Sequence, residues 1–242
     1  MHYIYREGNF TKPSRDITYI VNWILDNICP PILRDCYLFM YPIYRCVYGK
    51  CTRDLLKYKD NYPQITDKEY SRYYEMASKT ALSSRPTDLN KKSLEFVLRN
   101  VNGRILDVGC GRGFLCGQMA ELGFNVDGID IVRSGMFKEN DNCHFILGNI
   151  EAGTDIPDKS YDTVVCTHVL EHVRNPQKVM EEIFRIAKER VIIVLPCQRE
   201  YRYVADLHVR FFPYIYDVEN LIGKRDAKIQ KIGGDWCVII DI

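Results

Sequence analysis

The 242-residue sequence has no excess of charge of either sign, with 33 Lys+Arg facing 32 Asp+Glu and a formal net charge of +1. That balance excludes a surface built throughout to grip nucleic acid or an acidic membrane, while leaving room for a local basic patch. Paired CxxC thiols are also missing. The closest approach is Cys46 and Cys51, with four residues between them, so the tight pairs of a structural zinc site are not offered. The opening MHYIYREGNF carries polar and charged residues where a secretory signal would be apolar. No run reaches the ~20 apolar residues that cross a bilayer, and no repeat or low-complexity stretch is present. Disorder is excluded by a hydrophobic content of 46% with balanced charge.

The ten cysteines sit mostly in apolar runs such as TVVCTHV and WCVII, where a thiol packs as a small hydrophobe. Together with the missing signal this predicts reduced thiols in a cytoplasmic protein. The tyrosines are unevenly spread: twelve of the 17 lie in the first 74 residues. Residues 16–28 place Ile17, Ile20, Val21, Ile24, Leu25 and Ile28 at helical spacing, and Pro30-Pro31 ends that helix. The apolar YLFMYPIY (37–44) is interrupted by Pro42. It packs on the main domain or, alternatively, makes weak membrane contact through residues 37–48. Residues 67–82 read as a helix capped by Asp67, and Asn90 caps a second helix that ends at Asn102-Gly103.

Beyond Gly103 the pattern alternates. Apolar strand runs RILDV, FNVDGIDI (124–131), CHFILGN (143–149), YDTVVCT (161–167) and RVIIVLP (190–196) are separated by helical or turn segments. Among these, FLCGQMAELG and NPQKVMEEIFRIAK (175–188) are helical, and DVENLIG (217–223) follows. Gly233-Gly234 between AKIQKI and WCVIIDI marks a closing hairpin. The fold class is α/β: a doubly wound, mostly parallel sheet with helices on both faces. A helical, tyrosine-rich extension or lid occupies residues 1–80 and the α/β core residues 81–242.

The first strand-to-helix turn, LDVGCGRGF, brings glycine backbone and unpaired helix N–H groups toward a ligand. Its glycines at 109, 111 and 113 do not fit GxGxxG, and Asp107 before them repels pyrophosphate but suits an ammonium. Both departures point to a cationic, phosphate-free nucleoside. In order and spacing ILDVGCGRG, VDGIDI, the GNIE segment and YDTVVCTHVLEHV resemble the motifs of class I S-adenosylmethionine-dependent methyltransferases. Within them the small-molecule branch that includes the ubiquinone-biosynthesis type is the nearest likeness, over roughly residues 90–242. The resemblance implies a seven-stranded Rossmann-like core and S-adenosylmethionine as cofactor. It places Asp107 near the methionyl ammonium, and Gly109, Cys110 and Gly111 under the cofactor with their backbones. Asp130 takes the ribose hydroxyls and Ile131 packs on adenine. Asn149, where the family often has Asp, accepts from the adenine amino group, with Ile150 offering backbone N–H. Thr167 holds the methionyl part through its carbonyl.

His168-Val-Leu-Glu171-His172 matches H-x-x-E-H, the inverted zinc-protease pattern. It straddles a strand-to-helix junction, so no metal is expected. The implied fourth motif faces the transferable methyl, which makes His172 a candidate base or, equally, a packing residue. The segment CQREYRYVADLHVRFFP (197–213) gathers Arg199, Arg202, His208 and Arg210 after the fifth strand. It reads either as a site for an anionic acceptor, with His208 as the alternative base, or as a solvated loop. Tyr70, Tyr73 and Tyr74 stand just before the core as lid candidates. The expected function is methyl transfer to an O or N of a small, anionic, phosphorylated or sugar-linked metabolite, without a nucleic-acid partner. A quinone-type or membrane-borne acceptor and a non-catalytic nucleoside-binding scaffold are the alternatives.

Overall fold

The computed structural model describes residues 23–78, 86–203 and 206–242. A seven-stranded sheet carries the core: β1 (Ile105–Val108), β2 (Val126–Asp130), β3 (Cys143–Leu147), β4 (Tyr161–Thr167), β5 (Ala187–Pro196), β6 (Lys228–Ile232) and β7 (Asp235–Asp241), in the order β3-β2-β1-β4-β5-β7-β6. Strands β1 to β5 pair in parallel, and β7 enters antiparallel between β5 and β6. Winding reverses between β1 and β4, the place where doubly wound sheets bind ligands.

The strands are apolar on both faces because both faces are covered. Val164, Cys166, Val191, Ile193, Val238 and Ile240 pack under the helices Pro176–Ile186 and Ile215–Ile222. Their alternates Val165, Ile192, Val194, Cys237 and Ile239 pack under Lys91–Asn100 and Phe114–Glu121. Asn90 caps the first of these as expected, its Oδ1 accepting from the backbone N–H of Lys92 and Ser93 at 2.9 and 3.0 Å.

Four local expectations change. Residues 37–44 belong to a helix, Tyr37–Tyr48, that accommodates Pro42 in its interior. Helix Asp67–Ser78 is capped one residue before Asp67: Thr66 Oγ1 accepts from Glu69 N–H, and the Glu69 carboxylate accepts in return from Thr66 N–H at 2.8 Å. Strand β5 starts at Ala187 rather than Arg190. Of the 16–28 helix, residues 23–27 are helical and the part before residue 23 lies outside the described residues.

The N-terminal helices dock through tyrosines onto the segment after β5. Leu55, Leu56, Tyr58 and Ile65 share a core with Leu207, Tyr203 and Val209, while Leu25 and Met40 pack with Tyr201 and Phe211. Met40 of the 37–48 helix is buried in that core, whereas Leu38 stays 83% exposed. Among the described residues no helix is long and apolar enough to cross a membrane.

Candidate active site

The turn after β1 is stitched to the end of β2. Gly109 N–H and Cys110 N–H donate to Ile129 O at 2.8 and 3.2 Å, and Gly111 N–H donates to Asp130 Oδ2 at 2.9 Å. Val132 N–H occupies Asp130 Oδ1 at 3.1 Å, which fixes the carboxylate while a lone pair on each oxygen remains for a ligand. Burial holds the Asp130 carboxyl above its ordinary value against these backbone donors. Gly109 has φ +70°, and a Cβ there would sit 2.2 Å from Val169 Cγ2. Gly111, at φ +52°, would meet nothing within 4 Å, so its missing side chain leaves room above the backbone.

Asp107 is 2% exposed, and the described residues give it one hydrogen bond, from Cys116 Sγ to Oδ2 at 3.2 Å. Burial pushes its carboxyl up to about 7. A buried carboxylate so poorly supported suits a cationic ligand. Cys110 is buried, with its sulfur turned into the protein beside Gly128. Ile131 and Thr167 line the same cleft of about 1640 Å³, as do Ile150 and Asn149. The Asn149 amide oxygen already accepts Glu151 N–H at 3.0 Å, capping the turn Ile150–Ala152, so only its second lone pair is open. These residues fit S-adenosylmethionine: an under-supported anion, a side-chain-free cradle and an oriented carboxylate stand along one wall.

His172 and His208, whose rings lie 4.8 Å apart, also line the cleft, as do Tyr70 and Tyr74. Tyr74 meets the His172 ring edge-on at 5.7 Å, and Tyr70 donates toward Tyr74 Oη at 3.2 Å. Tyr62, which sequence reasoning missed, donates to His172 O at 3.2 Å and anchors the extension here. Tyr73 instead packs on Tyr58, 4.9 Å between centroids, away from the cleft.

Each imidazole is pinned at Nδ1: His172 by Leu207 O at 3.1 Å, His208 by Gln198 Oε1 at 2.7 Å. Each acceptor places a proton on Nδ1, so that in the neutral ring Nε2 carries the lone pair. The Gln198 amide is oriented by its own Nε2, which donates to Tyr201 Oη and Asp206 Oδ2. Burial, and then the neighbouring His208, hold the His172 pKa below its ordinary value.

His168 has φ +54° and turns Nδ1 to within 3.2 Å of Glu171 Oε1, its Nε2 lying 3.7 Å from Asp235 Oδ2. Burial opposes its charge, but Asp235 and Glu171 carry its pKa up to about 10. Glu171 is fully buried; burial raises its pKa, and His168 with the other two imidazoles brings it down to about 2. In the sequence Glu171 stands out only as the base of a zinc-protease pattern, and the approach of the third imidazole, His208, has no local mark.

The arginines divide. Arg199 lines the cleft. Arg210 spends its guanidinium on the carbonyls of Val173 and Arg174, and Arg202 points to Asp60 at 3.8 Å and over the Tyr203 ring. An anion clamp of three arginines is therefore not assembled.

A methyltransferase domain family model matches residues 81–218. The ubiquinone biosynthesis O-methyltransferase of Vibrio cholerae is 32% identical over 111 residues, 41% of this chain and 45% of that protein. Its namesake from Erwinia tasmaniensis is 30% identical over 135 residues, covering 47% and 56%. The chain spans about half the length of the curated relatives it matches. Two solved structures share the fold. An Aquifex aeolicus SAM-dependent methyltransferase has TM-score 0.50 at 17% identity, covering 71% of this chain and 96% of that one. Burkholderia thailandensis 1,6-didemethyltoxoflavin-N1-methyltransferase, with bound 1,6-didemethyltoxoflavin and S-adenosylhomocysteine, has TM-score 0.50 at 15% identity, covering 74% and 91%.

Proposed function

Because the chain belongs to the methyltransferase domain family and is an S-adenosylmethionine-dependent enzyme, we propose that it methylates a hydroxyl oxygen of a small, ring-bearing acceptor. When bound, S-adenosylmethionine supplies a methyl on a positively charged sulfur with a good leaving group. Asp107, ionised, pairs with the ammonium; the turn at Gly109–Gly111 lets the backbone run beneath the methionyl part; Asp130 accepts from the ribose hydroxyls. Ile131 and Ile150 offer apolar contact to the adenine, and Asn149 retains one lone pair for its amino group. The carbonyl of Thr167 faces the methionyl chain.

The acceptor lies between these residues and the aromatic wall. Tyr70 and Tyr74 give an edge and a face for a planar ring, and the described helices of the extension that carry them act as the lid that selects it. The observation that carries the oxygen assignment is His172. Its Nδ1–H is committed to Leu207 O, and its pKa is held down, so a neutral Nε2 lone pair is available to take a hydroxyl proton. Alignment of acceptor and methyl supplies about 7–11 kcal/mol, which leaves a modest task for proton removal. The relatives named as O-methyltransferases of ubiquinone biosynthesis support oxygen and a quinone-type ring. Arg199 is compatible with an acidic substituent on that ring.

A radiolabelled-methyl assay over hydroxylated aromatic acids, catechol-type rings, sugar phosphates and amines tests this. Turnover of the hydroxylated rings is expected. Exclusive labelling of amines or of sugar phosphates would refute it.

A further inference from the structure

We propose that Cys116 is a positioning residue of the cofactor site: its thiol stands behind Asp107 and holds that carboxylate toward the ammonium of S-adenosylmethionine. The role toward the cofactor rests on the reading of Asp107 above; the contact between thiol and carboxylate stands on the geometry alone.

Asp107 lines the cleft and Cys116 does not, so the thiol acts on a ligand only through the carboxylate. Cys116 is the third residue of the helix Phe114–Glu121 that follows the glycine turn, and it is fully buried. Its Sγ donates to Asp107 Oδ2 at 3.2 Å, which leaves Oδ1 for a ligand. No other hydrogen bond among the described residues fixes the rotation of this buried carboxylate. Gly128 of β2 makes room for the arrangement. A Cβ there would lie 2.8 Å from Cys116 Sγ and 2.8 Å from Cys110 Sγ, so any larger residue displaces the thiol from its line to Asp107.

The neighbours decide which way the S–H points. Cys116 also touches the thiols of Cys110 and Cys143, but it has one proton to give. An ionised carboxylate is a far stronger acceptor than a thiol sulfur, so the proton goes to Asp107. It also stays on the sulfur: contact with Cys110 and Cys143, burial and then Asp107 all hold the Cys116 thiol above its ordinary value. The donor is therefore present throughout the range in which Asp107 titrates. At the Asp107 carboxyl, burial raises the pKa, the Cys116 hydrogen bond lowers it, and Asp130 at the end of β2 raises it. The other titratable groups near it are the thiols of Cys110 in the turn, Cys143 on β3 and Cys166 on β4. Among the described neighbours Cys116 is thus the one that favours the charged form, which is the form an ammonium needs.

The test follows the carboxyl and the cofactor separately, in the full-length chain and its Cys116→Ala, Cys116→Val and Cys116→Ser variants. Carbon-13 NMR of the aspartate-labelled, cofactor-free chain reads the titration of Asp107, whose resonance is identified by its loss in Asp107→Asn. The wild-type midpoint is expected at about 7. Cys116→Ala and Cys116→Val, which lack the donor, move it up by about one pH unit, and Cys116→Ser, which keeps a hydroxyl donor, restores it. Alanine leaves a gap and valine fills it, so a packing defect does not explain a shift common to both. Calorimetry with S-adenosylhomocysteine then gives an affinity about fivefold below wild type at about pH 7 in these two variants, and within about twofold at about pH 8.5, where the carboxyl is mostly ionised in each. A purely structural thiol would weaken binding equally at both pH values. An unchanged Asp107 midpoint in Cys116→Ala and Cys116→Val overturns the proposal, as does a shift that Cys116→Ser does not reverse. Midpoints that move as expected, beside a wild-type affinity equal at about pH 5.5 and about pH 8.5, deny Asp107 the ammonium and leave the thiol–carboxylate contact standing.

Discussion

Replacing Asp107 with asparagine separates the stability of the chain from its ability to hold cofactor. In the folded protein burial places the Asp107 carboxyl at about 7, against about 3.9 for an unfolded chain. The folded state therefore retains a proton that the unfolded chain has already released. Stability falls as pH rises from about 4 to about 7 and levels off above that. Between about pH 5 and about pH 8 the wild type loses some two pKa units' worth, or about 2–3 kcal/mol, through this one group. An amide at this position does not titrate, and the fixed cost of burying its N–H groups is the same at both pH values. The difference in unfolding free energy, variant minus wild type, is thus expected to grow by about 2–3 kcal/mol from pH 5 to pH 8 in urea titrations. The same substitution removes the partner proposed above for the methionyl ammonium. Loss of a buried charge partner costs about 3–5 kcal/mol, so S-adenosylhomocysteine affinity should fall at least about 100-fold by calorimetry. A stability difference independent of pH would show that Asp107 carries no uncompensated burial. Undiminished cofactor affinity would deny it the ammonium.

Gly111→Ala puts its Cβ into open space, so it costs only about 1–2 kcal/mol of backbone strain in thermal melts while weakening S-adenosylhomocysteine binding. Gly109→Ala drives a Cβ against Val169 and destabilises more, with Val169→Ala recovering part of the loss. His172→Gln lowers kcat by about 10²–10⁴ with S-adenosylhomocysteine affinity within about threefold; an unchanged kcat would remove it from the reaction. Arg202→Ala leaves acceptor KM within about twofold, since its partner Asp60 is a surface pair worth about 0–1 kcal/mol. Arg199→Ala raises KM for acceptors that carry an acidic group, measured on the same substrates.

Much of the fold was legible because it is written in local periodicity. Apolar strand runs separated by helices announced a parallel sheet covered on both faces, and Val164/Val165 or Ile192/Ile193 do alternate between the two cores. The glycine turn, Asp107 and Asp130 were legible for the same reason: the end of a strand and the turn after it are fixed by neighbours in sequence. Pro42 misled, because a proline's local cost was outweighed by the tyrosine face that its helix buries.

Strand order and the antiparallel insertion of β7 had no local mark, since pairing joins residues such as Val194 and Cys237. The direction of an arginine side chain was equally hidden. Arg199, Arg202 and Arg210 share one short segment, yet tertiary packing leaves Arg199 on the cleft, turns Arg202 toward Asp60 of the N-terminal helices and fixes Arg210 on the carbonyls of Val173 and Arg174. The sequence by itself determined most element types, the two-faced sheet and the glycine turn with the two carboxylates at the strand ends beside it. Only the tertiary structure decided that His208 meets Glu171 and His172 across 36 residues of chain. Periodicity records which face a residue takes, whereas convergence of distant side chains depends on how those faces pack.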